Sequence, residues 1–336
     1  MGKKISVCFR VDVGRKLGLG HLSRCRSLML AFSNLAACHF LVVTNDKELV
    51  GKFISGIDFD LYGKNSSFKN KHFDIGIVDV PGIATRKKEK FLEASGLIAA
   101  IDDEGPGLPE QDILIRPNLL DLPRPSKIAK NNYWSGWECI ILHPDVELQA
   151  LRKRTVEKES SKLLVCFGGS DPCGLTLRVI PLLKKVANGM KVHVVIGSAF
   201  SRKKDVVSMI GRDSRFLLSV NVSNMGKTLR AADVALISGG TLLYEACALG
   251  VPSLVLSQNA AQDAEARVCR AAGAVLNLGI CTTVADEAIS AGLERIVRNY
   301  SLRIKMASKG PRIVAPNGAR RIASRLLVRQ KVKSNT

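Results

Sequence analysis

The chain has 336 residues, of which 46% are hydrophobic, enough for two buried cores of roughly 150 residues each. Its net charge of +20 is lopsided: residues 1–150 carry +2 and residues 151–336 carry +18, with 12 basic and no acidic residues from Arg295 to Thr336. Aromatics at 5% leave too few stacking platforms for a single-strand nucleic-acid surface, and no apolar run is long enough to span a membrane. In chain order, Ile5–Val11 reads as a strand, 21–36 as a helix, His39–Thr44 as a strand, and Ile75–Val80 as a short buried strand. A helix over 84–95 follows, then a strand Leu97–Ile101 ending at Asp102-Asp103, and two more at Ile113–Arg116 and Cys139–Leu142. The charged stretch Pro144–Ser161 reads as a connection between domains, which are thus drawn as 1–150 and 151–336.

The second half repeats the pattern. Strand Leu163–Phe167 runs into Gly168-Gly169-Ser170-Asp171-Pro172, followed by a helix over about 174–187. Strands at Val192–Ile196, Phe216–Val220 and Val234–Ile237 come next, the last ending at Ser238-Gly239-Gly240-Thr241. A helix carrying Glu245, a strand Ser253–Leu256 and a helix 262–272 closed by Gly273 follow. Two helical segments end the chain, with Pro311 and Pro316 marking the break and the terminal helix free to pack back on the first domain. Buried β-branched runs alternating with amphipathic segments predict parallel sheets with crossover helices.

The opening Met1-Gly2-Lys3-Lys4-Ile5 leads straight into a strand pattern rather than a signal peptide, so a cytoplasmic location is expected. The nine cysteines form no C-x-x-C pair and lie mostly in apolar runs, which favours reduced thiols over disulfides or a metal site. The basic second half suits a solvated surface or steering of an acidic small ligand better than nucleic acid.

Chemistry in an open α/β sheet concentrates beyond the carboxyl ends of the strands. Asp12 and the corner Gly18-Leu19-Gly20-His21 follow the first strand, Asp79 ends a later one, and both Gly-Gly corners follow strands. None of these matches a dinucleotide G-x-G-x-x-G or a P-loop. Gly239-Gly240-Thr241 suits a diphosphate resting on helix N-terminal N–H groups, or else a plain tight turn. Glu245, one helical turn on, suits a ribose diol or a solvated carboxylate. Gly168-Gly169-Ser170 suits a second anion nest, while Ser170 or Asp171 suits a helix cap. His21 is the only one of five histidines in a glycine corner, where an imidazole can take a proton from water. Asp12, Asp79, Asp102 and Asp103 are placed to orient it or to bind sugar hydroxyls; Asp102-Asp103 also reads as a turn. His143, after a strand and before a proline, is left open.

Read together, these corners resemble a known family. Phe9-Arg10-Val11-Asp12 with Leu17-Gly18-Leu19-Gly20-His21-Leu22-Ser23-Arg24-Cys25 is similar to the amino-terminal signature of PseG-type UDP-sugar hydrolases of pseudaminic acid synthesis. Those enzymes release UDP and a free diacetamido-trideoxy sugar. Phe167-Gly168-Gly169-Ser170-Asp171-Pro172 resembles their second-domain opening. Ser238-Gly239-Gly240-Thr241, Tyr244-Glu245 and Leu249-Gly250-Val251-Pro252 resemble the nucleotide site shared with MurG-like glycosyltransferases. The resemblance spans nearly the whole chain and implies a GT-B fold, two Rossmann-like α/β domains facing across a cleft. It implies His21 as the base that activates water, with Asp12, Gly20, Arg24, Asp79, Asp102 and Asp103 on the sugar side. Gly168, Gly169, Ser170, Ser238, Gly239, Gly240, Thr241, Glu245 and Gln262 would hold UDP, and no metal or other cofactor is implied.

Three positions depart from the family pattern. Asp79-Val80-Pro81-Gly82 stands where the hydrolases have Asp-His-Tyr-Gly, Ala261-Gln262 where they have Asn-Gln, and Asn317-Gly318 where they have Asp-Gly. These departures imply a changed sugar or acceptor on an unchanged fold. They leave a glycosyltransferase, with His21 deprotonating a sugar hydroxyl, and a catalytically silent nucleotide-sugar-binding protein as the competing readings.

Overall fold

The computed structural model describes residues 4–13, 20–32, 35–44, 47–53, 57, 59–63, 71–80, 90–102, 105–187 and 189–334. Contacts divide the chain into two units, one of Met1–Ile141 with Asn317–Thr336 and one of Leu142–Pro316.

The first unit carries strands β1 (Ile5–Val13), β2 (Ala36–Thr44), β3 (Phe59–Leu61), β4 (Phe73–Asp79), β5 (Ser95–Ile101), β6 (Ile113–Arg116) and β7 (Tyr133–Ser135). They form one parallel sheet in the order β3-β2-β1-β4-β5-β6-β7. The chain winds outward from β1 through β2 to β3, then returns to β4 on the other side. The reversal leaves a switch point between β1 and β4, where an open sheet has room for a ligand. Helix α1 (Gly20–Phe32) buries Leu22, Cys25, Leu28 and Phe32 on the face formed by Phe9, Val11, Ile75 and Ile77. The helices α2 (Lys47–Phe53) and α3 (Lys90–Glu93) are short.

The second unit begins with α4 (Pro144–Ala150). It then alternates β8 (Lys162–Cys166), α5 (Leu175–Val186), β9 (Lys191–Ile196), α6 (Lys203–Ile210), β10 (Phe216–Val220), α7 (Met225–Ala231) and β11 (Val234–Ile237). After these come α8 (Thr241–Ala248), β12 (Ser253–Ser257), α9 (Ala260–Ala271), β13 (Leu276–Ile280), α10 (Asp286–Arg298) and α11 (Tyr300–Ile313). Its parallel sheet runs β10-β9-β8-β11-β12-β13, so the second switch point falls between β8 and β11. The last helix, α12 (Gly318–Ser334), packs on the first unit, where Ala319, Ile322, Ala323 and Leu326 join the core beside α1. A side chain at Gly318 would strike the Ile140 carbonyl, so only glycine lets the start of α12 lie there.

Several expected elements fall differently. Cys139–Leu142 is not a strand: Trp137–Cys139 forms a single 3₁₀ turn, and the outermost strand is Tyr133–Ser135. The apolar run at 139–141 is buried under the start of α12 without joining the sheet. Pro144–Ala150 is helical rather than connecting chain, because His143 caps the helix and Pro144 fits its first turn. The boundary accordingly falls between Ile141 and Leu142 instead of at 150. Helix α1 stops at Phe32, since Ala36 already starts β2. Of the helix expected over 84–95, Lys90–Glu93 is helical and 84–89 lie outside the described residues. Three helices, not two, end the chain, with Pro311 inside the last turn of α11 and the break at Asn317, whose φ is +72°.

Candidate functional site

In the first unit, α1 starts at the carboxyl edge of β1 and places His21, Arg24 and Cys25 one turn apart on one face. That face meets the end of β4. His21 Nδ1 lies 2.7 Å from Asp79 Oδ1. Arg24 grips the same carboxylate with two bonds, Nε to Oδ2 at 2.8 Å and Nη2 to Oδ1 at 2.6 Å. The Cys25 thiol donates to Oδ2 at 3.6 Å. Asp79 is fully buried. Burial alone would raise its carboxyl, but the Arg24 guanidinium and then the His21 contact hold it well below the usual carboxylate range.

The shorter contact with that carboxylate, against 3.3 Å from Arg24 Nη2 to the same ring nitrogen, favours one tautomer of the neutral imidazole. An ionised carboxylate only accepts, so the proton shared with His21 sits on Nδ1. In the neutral ring Nε2 then carries the lone pair, and it makes no hydrogen bond with any described residue. The imidazole side chain is 24% exposed. An aspartate holding one ring nitrogen while the other makes no hydrogen bond among the described residues is an arrangement that suits a general base.

The other expected residues of this unit are placed as follows. Asp12 is next to last in β1 but lies on the opposite sheet face, where it accepts from Arg10 Nη1 at 2.6 Å in a buried ion pair. Asp102 accepts from the amides of Gly105 and Gly107 at 2.9 and 3.0 Å, binding up the turn that follows β5. A side chain at Gly20 would meet nothing within 4 Å among the described residues. Gly18, Asp103, Pro81 and Gly82 lie outside the described residues.

In the second unit both glycine corners flank the switch point. Gly168, with φ of +85°, and Gly169 follow β8, and a side chain at either would meet nothing within 4 Å. Asp171, not Ser170, caps α5, accepting from the amides of Leu175 and Thr176 at 2.9 and 2.7 Å. Ser238-Gly239-Gly240 follow β11. Gly239 must be glycine because a Cβ there would sit 2.5 Å from Gln262 Cβ. Gly240, φ +80°, begins α8 with no side-chain cap and no acidic residue in the first turn, so the positive helix end stays open beside exposed Thr241.

Glu245 lies one turn beyond Thr241 on the same helix face. It is buried, and its carboxyl makes no hydrogen bond among the described residues. Burial pushes it up to about 8 from an ordinary 4.5, with the Asp145 carboxylate adding to the effect. Burial would also raise Asp145, but its contact with His143 Nδ1 and the Gly226 amide at 3.0 Å outweigh that and keep it ionised.

Gln262 Oε1 accepts from the Gln258 amide at 2.9 Å, and Gln258 Nε2 donates to the Phe167 carbonyl at 2.8 Å. These two glutamines therefore tie the end of β12 to both glycine corners. Sequence reasoning missed Gln258 and Asp145. Gln258 was within reach of the strand-end rule, since it directly follows β12; Asp145 was hidden inside a segment taken for a linker.

Two parallel Rossmann-like sheets, each with its polar residues gathered at its switch point, define an α/β protein of the GT-B fold class. In sequence the chain is similar to the spore coat polysaccharide biosynthesis protein SpsG of Bacillus subtilis, 28% identical over 328 residues, 93% of this chain and 95% of that protein. No family model matches. In structure it is similar to MurG of Acinetobacter baumannii, with a TM-score of 0.62 at 12% identity, covering 96% of this chain and 99% of that one. It is also similar to the UDP-GlcNAc 2-epimerase of Neisseria meningitidis bound to UDP-GlcNAc, with a TM-score of 0.63 at 14% identity, covering 96% and 100%. At these identities the structural likeness is one of fold. Among the described residues no helix is long and apolar enough to cross a membrane.

Proposed function

We propose that this chain is a cytoplasmic UDP-sugar hydrolase of surface-polysaccharide or nonulosonic acid biosynthesis, with His21 as its general base. The observation that carries the reading is the His21–Asp79 contact, which leaves Nε2 as a free acceptor. In the proposed reaction Nε2 takes a proton from water as the oxygen bonds to the anomeric carbon. The bond from that carbon to the UDP oxygen breaks, and the electron pair leaves on the diphosphate. Such proton transfer is worth about 10²–10⁴ in rate.

Nucleotide binding is assigned to the second unit. The open space beside Gly168–Gly169 and the uncapped start of α8 suit a diphosphate. The unpartnered carboxyl of Glu245 suits the ribose diol. UDP as the nucleotide is supported by the ligand named for the similar epimerase, and the biosynthetic setting by the name of the similar Bacillus protein. Helix ends and backbone amides supply charge stabilisation for the departing diphosphate.

The test is UDP release from a panel of UDP-amino sugars without acceptor. Release that is lost in His21→Ala supports hydrolysis through this base. Release that requires an added sugar acceptor would replace hydrolysis by glycosyl transfer.

A further inference from the structure

The basic carboxyl-terminal helix takes no part in the chemistry above, yet its side chains are ordered into a pattern. Helix α12 carries Arg320, Arg321, Arg325, Arg329, Lys331 and Lys333 and no acidic residue. Arg321, Arg325, Val328, Arg329 and Val332 follow one another at helical spacing, forming a single stripe beside the buried face. The segment 130–137 of the same unit runs along this stripe. The Arg325 guanidinium lies 4.1 Å from the Trp134 ring centre, and that of Arg321 lies 5.5 Å from the Trp137 ring centre. Arg329 donates to the Asn131 carbonyl at 3.0 Å. Between them is an open groove of about 590 Å³ whose lining includes Lys130, Trp134, Arg325 and Arg329.

Two features say what such a surface fits. Arg325 and Arg329 have no carboxylate partner among the described residues, so their charge is available to an anion. Apolar groups also project among the cations: Val328 is 61% exposed, Val332 55% and Trp137 49%. A nucleic-acid backbone would use the charge and gain nothing from the valines. A bilayer interface uses both, because arginine heads stay at the phosphates while valine and indole enter the boundary with the acyl chains. We propose that the α12 stripe and the 130–137 segment form a docking surface for an anionic phospholipid bilayer.

Of the chain's two tryptophans, Trp134 is buried and Trp137 is half exposed on this surface, so a change in emission on contact reports Trp137. The full-length protein is mixed with vesicles rich in phosphatidylglycerol and with vesicles of phosphatidylcholine alone, and sedimentation and emission are followed. The expected result is co-sedimentation and a blue shift with the anionic vesicles only, weakened by salt. Arg325→Glu is expected to lower partitioning about fivefold for each unit of positive charge removed, whereas Arg325→Lys binds nearly as the unaltered protein does. Val328→Asp, at a solvent-exposed position, is expected to weaken binding while leaving the melting temperature unchanged. Equal binding to both vesicle types would overturn the proposal. So would unaltered partitioning in both Arg325→Glu and Val328→Asp, or salt-sensitive capture of duplex RNA without vesicle binding.

Discussion

Asp12, next to last in β1, and Asp79, last in the neighbouring β4, act on opposite faces of one sheet. In the β1–β4 ladder Asp79 stands beside Val11, and both project toward α1. Asp12, one residue further, projects the other way and is bound by Arg10. Only Asp79 is therefore able to hold His21, and because it is fully buried its part is to position the imidazole rather than to touch a sugar.

Replacing Asp79 by Asn removes the negative charge that holds the proton on Nδ1 and leaves the Arg24 guanidinium without its carboxylate. UDP release is expected to fall by about 10²-fold or more, mostly in kcat, since the loss is in proton transfer. Stability is expected to drop by about 3–5 kcal/mol, as when one partner of a buried ion pair is removed. The folded-state carboxyl titrates below its unfolded range, so its stabilisation is present above that range and fades as pH falls toward the folded value. Acid denaturation of Asp79→Asn should accordingly lack this component; steady-state kinetics and urea titrations at several pH values check both statements.

Glu245 yields a prediction of opposite sign. Its folded-state carboxyl is pushed up to about 8 from 4.5, so it is protonated in the free protein at neutral pH. A ribose diol donates hydrogen bonds and favours the carboxylate. Nucleotide binding at pH 7 is then expected to release a proton, with affinity rising toward pH 8. Calorimetry in buffers of differing ionisation heat measures that proton, and Glu245→Gln should abolish the pH dependence. Without nucleotide, this group's stabilisation is complete below 4.5 and is lost as pH rises to about 8, at up to ~1.4 kcal/mol per unit.

The glycine corners separate packing from binding. Gly239→Ala places a methyl group 2.5 Å from Gln262 Cβ and forces α9 to move, at an expected cost of about 1–3 kcal/mol. Gly169→Ala meets open space and is expected to leave the melting temperature nearly unchanged while weakening UDP binding. Thermal melts with and without UDP distinguish the two.

Arg303 is fully buried and donates to the Ile296, Val297, Glu157 and Lys158 carbonyls, fastening the chain before β8 to the junction of α10 and α11. Arg303→Met retains bulk but orphans those acceptors, and a loss of about 2–4 kcal/mol is expected. Chemical denaturation of the purified variant measures it, with nucleotide affinity of the folded protein expected to stay the same.

Much of the architecture was legible in local patterning. The long buried strands at Ile75, Leu97, Leu163 and Val234 announced themselves as β-branched runs, and the glycine corners fell at strand ends as the parallel topology demands. Short edge elements were not legible. β3 and β7 have only three residues each, too few to show a period, and the half-exposed β13 lacks a continuous apolar run. Cys139–Leu142 misled because burial beneath another helix gives the same apolar signature as a central strand.

The sequence by itself determined the two parallel α/β halves and the glycine corners and made His21 the candidate base, because each depends on residue type and spacing within one strand-turn-helix unit. Only the tertiary structure decided which aspartate serves that histidine, since this rests on the β1–β4 register and on which sheet face each strand end presents. It likewise decided that Gln258 links the two corners, that Asp145 influences Glu245, and that the basic tail lies along a tryptophan-bearing segment. Those partners are far apart in the chain, and packing alone brings them together.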